Sequence, residues 1–364
     1  MNLRTHGPVL ALSLLAAGCG TSDTTSNADA ATPPADMAGK PRPPVGAPLT
    51  TPMNQWTWVD FPDSMCDDGT PTGIGVNLTG SKNVLIYLQG GGACWDYLTC
   101  VQLPFAVHGP YGANEFMAGF DGTVLGTVAG NPYAGWNVVY VPYCTSDLHA
   151  GHSTKTFMSG GDSRTFHFNG RANMTAFLKR IAATWPSAEK VVVSGSSAGG
   201  FGAGLNADLA FSYFPDSQRY LVDDSGPAMI GPGVPSFLRT AAYDQWNVGE
   251  WMDVLCPQCK DDFSQFYNVL AATYPKSRGA LLSYEQDGTI SRYFVESAAQ
   301  FQTDLNDLAT MRLDALPNMK YFYENGVNHT MLLDPTKHTV NGVSLLPWLT
   351  QMTTDDPAWT SVKP

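Results

Sequence analysis

Along most of the chain, short apolar runs alternate with stretches whose apolar positions recur every three or four residues. Asn83-Val-Leu-Ile-Tyr-Leu-Gln89, Trp136-Asn-Val-Val-Tyr-Val141 and Lys190-Val-Val-Val193 are β-branched or apolar runs of buried-strand length. Ala280–Tyr284 and Met319–Tyr323 read the same way, and Tyr220-Leu-Val222 is strand-like. Between them, Gly170 to Thr184 carries Met174, Phe177, Leu178 and Ile181 at helical spacing, and Gln300 to Leu313 behaves likewise. Strands alternating with helices predict an α/β fold, a mostly parallel sheet with helices on both faces. In such a sheet the functional site lies at the carboxyl ends of the strands.

The first 50 residues break this pattern. Arg4 precedes Val9–Ala17, an apolar run too short to span a bilayer as a helix. Leu15-Ala-Ala-Gly-Cys19 resembles a bacterial lipobox, with Ala16 where leucine is usual. Residues 1–18 are therefore expected to be a signal peptide and Cys19 a lipidated first residue, anchoring the chain to a membrane. Residues 19–50, rich in Ser, Thr, Ala and Pro, read as a flexible linker, because they bury too little to offset ordering entropy. Residues 51–364 form the expected folded domain. The expected location is the cell envelope, lipid-anchored, or outside the cell.

Composition narrows the partners. The 364 residues carry 20 basic and 32 acidic side chains, a net charge of −12. No basic footprint exists to neutralise phosphates, which argues against nucleic acid. Charged residues make up only 14%, and 36 glycines and 26 prolines imply a loop-rich fold. Six of the seven cysteines remain once Cys19 is set aside, and an even number in an exported chain suggests three disulfides among fifteen possible pairings. The spacing of Cys94 and Cys100 suits a small closed loop. Cys256-Pro-Gln-Cys259 reads as a local bridge, since neither a second CxxC nor a nearby histidine completes a zinc set. Cys66 and Cys144 are left for each other. His149-Ala-Gly-His152 lacks a third ligand and reads as a polar loop, so no metal and no cofactor is expected.

The strongest chemical signal follows the third strand. Gly195-Ser-Ser-Ala-Gly199 is G-x-S-x-G between a strand and a helix-compatible segment, Gly202–Phe214. That is the context of a nucleophile elbow, with Ser197 as nucleophile. A serine nucleophile needs a base, and the base an orienting carboxylate, in the order Ser, acid, His. Beyond Ser197 the chain offers only His329 and His338. His329 follows a strand in a glycine-containing loop, whereas His338 reads as part of a solvated turn. Asp287, after the Ala280–Tyr284 run, is the expected acid. Glu285 is an alternative, Asp304 and Asp307 read as an exposed helix face, and Asp223 and Asp224 as shaping the sheet edge or pocket floor. The tetrahedral intermediate needs backbone donors, expected from Ala198 and from the loop Leu88-Gln-Gly-Gly-Gly-Ala-Cys94.

These pieces together resemble the pectin acetylesterase/Notum family of serine carboxylesterases. The matching motifs are Cys66-Asp-Asp-Gly69, Leu88-Gln-Gly-Gly-Gly-Ala-Cys94 with Cys100, Val141-Pro-Tyr-Cys-Thr-Ser-Asp147, Gly195-Ser-Ser-Ala-Gly-Gly200 and Asp224-Ser-Gly226. The resemblance implies an α/β-hydrolase-like fold and a metal-free triad of Ser197, Asp287 and His329. It implies an oxyanion hole of Gly91, Gly92 and Ala198, and supports the Cys66–Cys144 bridge. Many members carry an acidic residue and an aromatic where this chain has Gln89 and Gly92, a difference at the substrate pocket. The expected function is a monomeric, exported serine carboxylesterase that deacetylates an acetylated, pectin-like polysaccharide through an acyl-enzyme. A general short-chain or fatty-acyl carboxylesterase is one alternative, and a non-catalytic binding lipoprotein on a hydrolase fold is another.

Overall fold

The computed structural model describes residues 43–103, 105–116 and 119–364. The expected signal peptide, Cys19 and most of the expected linker lie outside them. In chain order the strands are β1 (Trp56–Phe61), β2 (Thr72–Asn77), β3 (Asn83–Leu88), β4 (Asn137–Val141), β5 (Ser153–Ser159), β6 (Asp162–Phe168), β7 (Lys190–Ser196), β8 (Gln218–Asp224), β9 (Arg278–Tyr284) and β10 (Met319–Glu324). Two further short strands follow near the C-terminus. The helices are α1 (Gly170–Thr184), α2 (Ala198–Tyr213), α3 (Ser236–Thr240), α4 (Gly249–Leu255), α5 (Gln265–Thr273), α6 (Ile290–Phe294), α7 (Ala298–Met311) and α8 (Leu345–Thr353).

Eight strands form one sheet in the order β1-β2-β4-β3-β7-β8-β9-β10. From β4 to β10 every pairing is parallel, and β2 and β1 add an antiparallel edge. The alternation of side chains along each strand divides the core. Val84, Ile86 and Leu88 of β3 and Val191 and Val193 of β7 face the layer of α1 and α2. Leu85, Tyr87 and Val192 point the other way, toward Leu345, Trp348 and Leu349 of α8. The expected α/β-hydrolase-like layering is thus present. On α1, Met174, Phe177, Leu178 and Ile181 are all buried, each contributing roughly 1.5–3 kcal/mol of burial.

The end of the expected linker is bonded to the domain. Gly46 N donates to the Lys179 carbonyl (2.9 Å) and Leu49 N to Thr184 Oγ1 (2.7 Å), and Leu49 is buried. The three bridges join Cys66 to Cys144, Cys94 to Cys100 and Cys256 to Cys259. The hairpin β5–β6 stands apart from the main sheet. Among the described residues, no helix is long and apolar enough to cross a membrane.

Candidate active site

β7 ends at Ser196 and α2 begins at Ala198, so the whole reversal falls on Ser197. Its backbone sits at φ 61°, ψ −125°, a conformation that costs a non-glycine residue about 1–3 kcal/mol. The turn is held by Ser197 N donating to the Asp224 carbonyl (2.7 Å) and by Gly200 N donating back to the Ser197 carbonyl (2.8 Å). Small residues make it possible: a Cβ at Gly199 would lie 2.0 Å from the Leu88 carbonyl oxygen. The hydroxyl stands at the positive end of a 16-residue helix, where a developing negative charge is favoured.

The glycine loop after β3 lies against this turn. A Cβ at Gly90 would meet the Ser196 carbonyl oxygen at 2.5 Å and Ser197 Cβ at 3.0 Å. Gly92 has φ 76°. The loop's carbonyls are engaged outward: Gly91 O accepts from Val107 N (2.7 Å) and Gly92 O from the Tyr143 hydroxyl (2.7 Å). His149 Nε2 bonds the Gln89 carbonyl at 2.9 Å, and burial pushes this imidazole down to about 4, so it is neutral and donates. The other histidine of that segment, His152, is exposed and pairs with Glu250. Gly92, Ser197 and Ala198 line one cleft together; Gly91 packs behind it, against Tyr143 and Val107.

His329 follows β10 and Asp287 follows β9, two neighbouring parallel strands. Gln286 N bonds the Gly326 carbonyl and Gly288 N the Val327 carbonyl, each at 3.0 Å, which ties the two loops together. Asp287 is fully buried, and its Oδ2 lies 2.8 Å from His329 Nδ1. Its Oδ1 accepts from Thr289 N (2.9 Å) and Ile290 N (3.0 Å), which fixes the carboxylate. The opposite ring nitrogen, His329 Nε2, is buried and makes no hydrogen bond with protein, Ser197 included. Glu285 instead accepts from Gln302 on α7. His338 is not in a solvated turn, as its polar neighbours suggest; it is buried, with Nδ1 on Glu324 at 2.7 Å and its ring edge-on to Tyr284.

One residue joins the two halves. The buried Asp224 carboxylate accepts from Ser196 Oγ (2.6 Å), from Met331 N (2.9 and 3.0 Å) and from Leu332 N (3.0 Å). It therefore holds the residue before Ser197 and the residues just after His329. Burial raises its pKa, and the serine, the two amides and the nearby His329 oppose the rise. The Tyr87 hydroxyl donates to Ser196 Oγ (2.8 Å) and extends the chain. The sequence marks Asp224 as a strand-end acid at the head of the Asp224-Ser-Gly226 motif; nothing in its spacing announces a bond to a loop 107 residues away.

Beside Ser197 opens a cleft with a cavity volume of about 100 Å³. Trp95, Phe201, Trp246, Met252, Phe266 and Phe294 are among its lining residues, and Asp223 is the single carboxylate there. Asp223 is buried beside Asp224, which pushes its pKa up to about 8 and keeps it protonated at neutral pH.

A strained serine between a parallel strand and a helix, with a histidine–aspartate pair at the ends of later strands, defines a protein of the α/β-hydrolase type. The Pectinacetylesterase family profile matches residues 52–229, a span that holds Ser197 and Asp224 but ends before Asp287 and His329. The human palmitoleoyl-protein carboxylesterase NOTUM is 30% identical over 150 residues, 39% of this chain and 29% of that protein. Palmitoleoyl-protein carboxylesterase notum1 of Xenopus laevis is 27% identical over 228 residues, 55% of this chain and 43% of that protein. Pectin acetylesterase 11 of Arabidopsis thaliana is 30% identical over 164 residues, 43% and 40% of the two chains. The chain thus spans less than half the length of these relatives. The family match and these relatives support a place in the pectin acetylesterase/Notum family.

Proposed function

We propose that this protein is a serine carboxylesterase in which Ser197 attacks the ester carbonyl, His329 takes the hydroxyl proton and Asp287 orients and stabilises the imidazolium. The Ala198 amide and the amides of Gly91 and Gly92 receive the oxyanion. His329 returns the proton to the leaving alcohol, and water then clears the acyl-enzyme by the same route. The observation that carries this reading is the strained Ser197 opening on an apolar cleft, with an imidazole anchored by a buried carboxylate at the neighbouring strand ends.

The cleft sharpens the substrate. An acetyl group needs no extended aromatic and aliphatic lining, whereas a longer acyl chain gains ~0.8 kcal/mol for each methylene it buries. The lining therefore favours esters of longer apolar acids over acetylated polysaccharide. Deacetylation of a pectin-like polymer is the second reading, favoured by the similarity to the Arabidopsis pectin acetylesterases. Three disulfides fit an oxidising compartment, and with them goes the proposal of an exported chain anchored through Cys19.

A p-nitrophenyl ester series from acetate to palmitate tests both layers. kcat/KM should rise roughly threefold to fourfold per methylene over the first several carbons, and Ser197→Ala, His329→Ala and Asp287→Asn should each lose at least 100-fold. Acetate preferred tenfold over octanoate would favour the polysaccharide reading. Full activity in Ser197→Ala would overturn the esterase reading altogether.

A further inference from the structure

The rim of the cleft carries an exposed apolar surface that catalysis does not use. Leu98 is 49% exposed, Val101 and Leu103 37% each, Val107 44% and Phe237 40%. Leu98–Gln102 form one helical turn closed by Leu103 N on the Leu98 carbonyl (2.9 Å), and Val107 N reaches the Gly91 carbonyl. The Trp95 ring joins this turn to the opposite rim, 6.2 Å from Phe105 and 5.7 Å from Phe237. Trp95 itself lines the cleft, as does Leu238 beside Phe237. The segment that carries the exposed aliphatics thus meets the cleft wall through Phe105 and Trp95, and Phe237 meets it through Trp95.

The two segments beside the mouth carry no charge of their own, and the charges next to them are engaged: the Tyr97 hydroxyl donates to Asp162, which pairs with Arg164, and Arg239 bonds the Gly231 and Asp261 carbonyls. Residues 97–107 and 225–238 contain no charged side chain, in a chain of net charge −12. The exposed turn is also built rather than loose. The Cys94–Cys100 bridge closes it, and Thr99 and Asp96 lock its base, with Thr99 N on Asp96 Oδ1 at 2.8 Å and Asp96 N on Thr99 Oγ1 at 3.1 Å. A preordered turn gives up little entropy when its aliphatic side chains leave water. Scattered exposed leucines and valines are ordinary; a contiguous set around an apolar pocket marks an interaction surface.

We propose that this rim docks on the hydrocarbon boundary of a zwitterionic lipid bilayer, so that an acyl ester passes from the bilayer into the cleft without crossing water. The proposal rests on the apolar-acyl esterase reading above. A sugar polymer would call for stacking rings and hydrogen-bonding groups, and four of the five exposed residues are aliphatic. An anionic bilayer would repel a chain of this charge, and the two arginines near the rim are already engaged, Arg164 by Asp162 and Arg239 by the Gly231 and Asp261 carbonyls.

The test uses the full chain and neutral phosphatidylcholine vesicles. Hydrogen–deuterium exchange should show amides of 97–107 and 228–238 slowed at least fivefold by vesicles, a readout independent of any activity. Leu98→Asp with Leu103→Asp should lower turnover of a vesicle-embedded long-chain ester at least tenfold and leave soluble p-nitrophenyl acetate hydrolysis within twofold. Membrane affinity of the N-terminal segment is common to both proteins and so leaves this difference intact. Unchanged exchange at 97–107 with vesicles overturns the proposal, as does full vesicle turnover in the double variant. Protection by acetylated pectin or by anionic vesicles alone overturns it too. Should the double variant lose p-nitrophenyl acetate activity as well, Val101→Asp and the wild-type exchange decide. A wild-type chain that docks but cleaves no ester would sink the esterase reading and leave the docking surface standing.

Discussion

Asp224→Ala separates a positioning role from a merely structural one. The carboxylate accepts from Ser196 Oγ and from Met331 N and Leu332 N at 2.6 to 3.0 Å, inside a fully buried pocket. Truncation strands these donors at ~1–3 kcal/mol each; Ser196 can rotate, so a loss of roughly 3–5 kcal/mol is expected. The same cut frees both ends of the site. Ser197 is the neighbour of Ser196, and His329 lies two residues before Met331. A misplacement near 1 Å costs about 100-fold in rate, so kcat should fall about 100-fold. KM should stay within threefold, because Asp224 does not line the cleft. Asp224→Asn keeps one acceptor oxygen and should recover at least tenfold of kcat. The assay is kcat and KM for p-nitrophenyl butyrate, measured well below the Tm found by circular dichroism. A folded Asp224→Ala with kcat within threefold of wild type would refute the coupling, and so would a raised KM with kcat retained.

Two further outcomes follow from neighbouring features. Replacing Cys94 and Cys100 by serine opens the loop directly behind the oxyanion glycines and should cost ~2 kcal/mol in urea unfolding, with kcat falling before the Tm is reached; an unchanged kcat would show that the bridge does not hold the donors. Asp223, pushed up to about 8 from an ordinary 3.8, keeps a proton in the folded state that the unfolded chain releases, so stability falls as pH rises from about 4 to 8. Asp223→Asn removes that slope, and its Tm relative to wild type should climb by about 5 °C or more between pH 5 and pH 8; parallel Tm curves would exclude the titration.

The parallel strands were legible because each is buried on both faces and reads as an unbroken apolar run. α1 was legible to the residue for the complementary reason, a one-sided apolar stripe ending before Pro186. α2 was not: its first turn is Ala198-Gly-Gly-Phe-Gly, poor in helix propensity, and it starts four residues earlier than the pattern suggests because the strained turn at Ser197 launches it. The hairpin β5–β6 escaped notice because one face is exposed and mostly polar, while the other mixes Ser153 and Lys155 with Phe157, Phe166 and the buried Phe168. At the site, chain order and loop context brought forward His329 and Asp287, which stand in contact. Burial of His338 was illegible, since its partners Glu324 and Tyr284 come from separate strand ends.

Topology also explains why the histidine's carboxylate comes from β9. Asp224, at the end of β8, is nearer in sequence and already beside the Ser197 turn. Its Oδ2 takes the Ser196 hydroxyl and the Leu332 amide, and both oxygens share the Met331 amide, so this carboxylate is committed to the serine turn and to the backbone after His329. β9 is the next strand in the sheet, and its loop delivers Asp287 with one oxygen fixed by two amides and the other turned to His329 Nδ1. The two acids thus divide the labour. The first fastens the histidine loop to the serine turn, and the second sets the ring within that loop. An aspartate at either strand end alone leaves one of these tasks undone, since a single carboxylate cannot face the Ser196 hydroxyl and the far side of His329 together.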